Sequence, residues 1–176
     1  MRRFTIILTV VAAFLSASSS YCQNSRAVYL EFLGASNGIG VGYDARFDKD
    51  AASGLGWRAG IGFGYSSGMV VGVSGSGYDF YDQSFRLAVP LEINYLFGKK
   101  ASRFDLGAGA MLCADRYTSM SGSDPKNVTG VIPYLSTGYR LVTRKGFVLR
   151  AGFLTVYDFN GKNFVFWPHL GFGWAF

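Results

Sequence analysis

Residues 163–176 read NFVFWPHLGFGWAF, and their grammar decides the fold. Phe164, Phe166, Pro168, Leu170, Phe172, Trp174 and Phe176 hold one phase of a two-residue period, with Val165, Trp167, His169, Gly171, Gly173 and Ala175 on the other. A period of two is a β-strand, since successive side chains point to opposite faces. A strand in a soluble protein hides its aromatic face inside, so the nature of the surroundings becomes the question.

Working backward, seven more stretches alternate in the same way. RAVYLEFLG (26–34) sets Val28, Leu30 and Phe32 against Tyr29, Glu31 and Leu33; GIGVGYDARF (38–47) and LGWRAGIGFGY (55–65) oppose large apolar residues to Gly, Asp44, Arg46 and Arg58. FRLAVPLEINYLF (85–97) carries Arg86, Pro90, Glu92 and Asn94 on its mixed face, and Pro90, which cannot donate to a ladder, predicts a bulge or local break. FDLGAGAMLCAD (104–115) contributes Asp105 and Asp115. Segments from about Gly130 to Val142 and from Phe147 to about Tyr157 add Arg140 and Arg150. Short joints (48–54, 98–102, 143–146) fall at one end; the other end carries the joints at 34–37 and 158–163 and the long polar ones at 66–84 and 117–129, where Val70, Val71 and Val73 are placed to extend a hairpin.

The first residues have a different grammar. MRRFTIILTVVAAFLSASSSYC has two arginines, an apolar run and small polar residues, the pattern of a cleavable signal peptide spanning 1–22, with cleavage expected before Gln23. Lipidation of Cys22 is the lesser alternative, because the bulky Tyr21 beside it fits poorly. The remaining segment, 23–176, is one domain's length, and its formal charge falls from +6 to +4 without Arg2 and Arg3. So mild a charge without basic clusters argues against nucleic acid as a partner. Cys113 is then its sole cysteine, which excludes an intrachain disulfide framework and a cysteine-based metal site.

Side-chain volume separates the two barrels that eight such strands could form. The interior of an eight-stranded barrel has room for packed side chains or one small ligand, yet the chain carries 16 Phe, 11 Tyr and 3 Trp, mostly on the apolar phase. They cannot all fit inside. The opposite phase, rich in Gly, holds Glu31, Asp44, Glu92, Asp105 and Asp115 against Arg46, Arg58, Arg86, Arg140 and Arg150, a balance suited to a narrow, internally neutralised lumen. The expected fold is all-β: an eight-stranded antiparallel transmembrane barrel of the outer-membrane type, in which closure satisfies every backbone group that lipid cannot. A soluble ligand-binding barrel is the alternative.

YLEFLG, VPLEINYLFGKKASRFDLGAGA, PYLSTGYRL with KGFVLRAGF, and FWPHLGFGWAF together resemble a family of small outer-membrane β-barrel proteins abundant in Bacteroidetes, with an OmpA- and OmpX-like eight-stranded architecture. The resemblance spans almost all of 23–176. It implies the bacterial outer membrane as location, outer-membrane lipids as surroundings, and recognition of Trp174 and Phe176 by the barrel-insertion machinery. It supplies no catalytic residue.

Nor do the residues themselves. His169, the lone histidine, lies on the lumenal phase, where packing or a hydrogen bond to a lumenal acid accounts for it better than general-base chemistry. The glycines at 60, 62, 64, 107 and 109 alternate within strands and lack the following helix of a phosphate loop. No metal ligand set and no cofactor motif emerges. The ten lumenal charges suit a packed polar core better than a conduit. Binding to an extracellular or envelope ligand is expected of the longer loops, where Tyr78, Phe80, Tyr81, Asp124 and Lys126 are the candidates. The sequence therefore points to a monomeric barrel with a structural, envelope-integrity or surface-interaction role. A narrow pore or small-solute transporter is the alternative, and a lipid-directed enzyme a distant third.

Overall fold

Alternation of large outward and small or charged inward side chains lets a single sheet curl until its edges meet. In the computed structural model, which describes residues 25–36, 38–74, 77–98, 101–118, 125–158 and 163–176, they do meet. The strands are β1 (Arg26–Leu33), β2 (Gly38–Arg46), β3 (Gly54–Ser74), β4 (Gly77–Phe97), β5 (Ser102–Thr118), β6 (Lys126–Val142), β7 (Phe147–Asp158) and β8 (Asn163–Ala175). Each pairs antiparallel with its sequence neighbour, and β1 pairs with β8 from Ala27↔Ala175 to Leu33↔His169, closing the barrel. The signal-peptide segment lies outside the described residues.

The outward phase is apolar all round. Ile39, Phe63, Ile93, Leu135, Phe153, Phe166 and Trp174 are exposed on six of the strands, Phe166 at 68 %. Rings from neighbouring strands meet on this face, as between Phe32 and Phe172, Tyr43 and Trp57, and Phe97 and Phe104. So much exposed aromatic surface is unfavourable in water and favourable in a bilayer.

Several boundaries differ from the sequence reading. The segment 66–84, read as a polar loop, is mostly strand: β3 and β4 each run 21 residues and pair out to Ser74↔Gly77. A bilayer-crossing strand needs about 9–11 residues, so roughly half of this hairpin stands beyond the barrel wall. Its Gly/Ser content lowers the hydrophobic signal without preventing pairing, and Val70, Val71 and Val73 do extend the hairpin. β5 and β6 are likewise longer than expected. Pro90 breaks the β3–β4 ladder, whose pairs skip from Ala59↔Leu91 to Gly62↔Ala88, but the register is unchanged across the gap, and the bulge lies instead between Ser67 and Val70. Leu33, assigned to the inward phase, is exposed because its backbone turns left-handed (φ 63°), as does Gly34 (φ 47°). These two residues direct the following 3-10 turn, Gly34–Ser36, into the lumen, where Ala35 is buried against Ala88, Met111, Cys113, Tyr134 and Leu154.

Candidate functional site

Register determines which inward side chains become neighbours. Asp44 lies opposite Arg58 across β2–β3, and Arg58 lies opposite Glu92 across β3–β4. Three charges of alternating sign thus form a belt on adjacent strands. Arg58 is its centre: Nη1 donates to Glu92 Oε1 at 2.6 Å, Nη2 to Asp105 Oδ2 at 2.6 Å and Nε to Asp44 Oδ2 at 3.3 Å.

From the far wall, Arg140 reaches across the lumen and donates Nη1 and Nη2 to the two oxygens of Asp44, both at 2.9 Å. Asp44 also accepts from Arg46 at 2.6 Å and from the Asn94 amide at 2.8 Å. Arg140 and Arg150 are directly opposite on β6 and β7, a repulsive placement in isolation. Asp105 lies within 3.3 Å of the first and 3.6 Å of the second, and Glu31 takes Arg150 at 3.5 Å. Arg150 also stacks over the Tyr29 ring, 4.6 Å from its centroid. Such charges are tolerable away from water because nearly every one is shared among several partners.

Glycine supplies the space. A side chain at Gly42 would collide with the Tyr29 ring, and one at Gly56 with the Arg46 guanidinium and a neighbouring backbone carbonyl. A void beside Asp44, Arg46, Arg103 and Arg140 measures about 10 Å³, room for roughly one water.

Of the candidate charges, Glu31, Asp44, Arg46, Arg58, Glu92, Asp105, Arg140 and Arg150 are thus brought together. Arg86 and Asp115 are not. They form a separate pair toward the long-hairpin end, with Nε–Oδ1 at 2.6 Å and Nη2–Oδ2 at 2.9 Å. Tyr78, Phe80 and Tyr81 lie on β4 opposite Val73, Val71 and Val70, on a strand and not in a loop. Lys126 is the first residue of β6, and Asp124 lies outside the described residues. Trp174 and Phe176 are outward and exposed, and Phe176 N–H donates to the Arg26 carbonyl at 2.9 Å. His169 is buried in the lumen beside the Thr137 backbone, so of the two roles expected for it, packing and a bond to a lumenal acid, the first is the one found.

Sequence reasoning placed Tyr29 and Asn94 on the inward phase without making them members of the cluster and missed Arg103 and Tyr134; all four are buried. Arg103 was legible: it precedes Asp105 by two and continues the inward phase of β5 one step past the assigned start. Tyr134, whose hydroxyl hydrogen-bonds Glu92, lies in the inward phase that Arg140 marks on β6.

The same architecture recurs in solved bacterial proteins. The N-terminal β-barrel domain of Pseudomonas aeruginosa OprF is similar with a TM-score of 0.56 at 13% identity, covering 88% of this chain and 98% of that one. Neisserial surface protein A gives 0.53 at 16%, covering 86% and 93%. The Yersinia pestis outer membrane protein Ail gives 0.51 at 13%, covering 87% and 99%. The chain has the fold of an outer-membrane barrel. No protein-family model and no curated sequence matches it.

Proposed function

We propose that the chain is a sealed, monomeric barrel of a bacterial outer membrane, of the Bacteroidetes type that its sequence resembles, with a structural, envelope-integrity or surface-interaction role. The observation that carries this reading is the Asp44–Arg58–Arg140 cluster, which ties β2, β3 and β6 together across the lumen. A narrow pore is the competing reading, and the void of about 10 Å³ at this level weighs against it. Short turns face the periplasm in such barrels, so the β3–β4 hairpin stands on the extracellular side. That makes it the element offered to a partner. Ail, which shares the fold, is known in complex with the heparin analogue sucrose octasulfate, which supports surface recognition as a use of this architecture.

The test is conductance in planar lipid bilayers. A sealed barrel gives no stable current steps. Discrete, ion-selective steps whose selectivity changes when Arg58 is replaced by Glu would establish the pore instead.

A further inference from the structure

On the long-hairpin side of the charged cluster the lumen changes character. There it holds a cavity of about 200 Å³, walled mainly by Met111, Ile132, Leu154, Val156 and Trp167 from β5, β6, β7 and β8. The inward 3-10 turn contributes Gly34 and Ala35 to the lining.

We propose that this cavity is a binding site for a small, uncharged molecule: a single aromatic ring or short alkyl group carrying one acceptor oxygen. Size sets the first limit, since about 150 Å³ of apolar cavity is enough to admit benzene. Charge sets the second. Arg86, the cation at the cavity edge, is already neutralised by both oxygens of Asp115, so an anionic ligand would find no net positive charge there. The third is a hydrogen bond. Trp167 lines the cavity, and its buried Nε1–H meets no acceptor among the described residues. A buried donor without a partner is costly, and a ligand oxygen meets that need where the apolar wall cannot.

Acetophenone is a suitable probe, titrated into the barrel in lipid nanodiscs while the indole N–H resonances are followed by NMR. Trp57 and Trp174, exposed on the outer face, report ketone dissolved in lipid and should drift without saturating. Trp167 should shift and saturate. Leu154→Phe and Ile132→Phe fill the cavity from two different strands, and in whichever variant retains the folded-barrel spectrum the saturable shift should be lost. A Trp167 response that only drifts with the other two, or that saturates unchanged in a folded cavity-filled variant, overturns the proposal.

Discussion

Asp44 accepts hydrogen bonds from Arg46, Arg58, Asn94 and Arg140, which uses the capacity of its two oxygens. Removing one donor therefore leaves charge without compensation. Arg58→Leu takes a donor from Asp44, Glu92 and Asp105 at once, and breaking such a buried arrangement costs about 3–5 kcal/mol. Arg86→Leu breaks a pair whose arginine side chain is 28 % exposed, where water takes up much of the loss and about 1 kcal/mol or less is expected. Urea unfolding in lipid vesicles, followed by tryptophan fluorescence, should rank Arg58→Leu well below Arg86→Leu. Equal losses would mean that the cluster is not the central support of the lumen.

At the scale of elements, the two long strands divide into a part that closes the barrel and a part that does not. Beyond the irregularity between Ser67 and Val70, β3 and β4 pair only with each other among the described residues, and the described β4–β5 pairs reach Gln83↔Thr118. Replacing residues 68–82 by a short turn should therefore leave the unfolding midpoint of the barrel nearly unchanged. A large drop would show that the hairpin is built into the wall. This division was not legible in the sequence, because the Gly, Ser and Asp residues around the valines dilute the apolar phase that made the membrane-crossing parts plain. The face of each inward charge was legible from its period of two. Its partners were not: Asp44 and Arg140 are 96 residues apart, and alternation gives a face but neither the register nor the reach across a lumen.

For the whole molecule, closure is the property on which the rest depends. β8 is held by β7 along twelve pairs and by β1 along seven, with Phe176 N–H bonded to the Arg26 carbonyl beyond them. Deleting Phe176 removes that bond and an outward aromatic ring, and should lower the fraction of chain recovered as folded barrel from the outer membrane. Heat-dependent mobility on gels measures that fraction, and an undiminished yield would rule out an assembly role for the residue.

The cross-lumen bonds also constrain timing. Asp44 and Arg140 reside on β2 and β6, so neither is neutralised by the other until the intervening strands have curved into a ring. An open sheet entering lipid would keep the ion pairs between adjacent strands but lack the Asp44–Arg140 pair that crosses the lumen, leaving part of its charge uncompensated in hydrocarbon at high cost. Entry one strand at a time is thereby disfavoured, and the charges act as a checkpoint that admits the chain to the bilayer only as it closes.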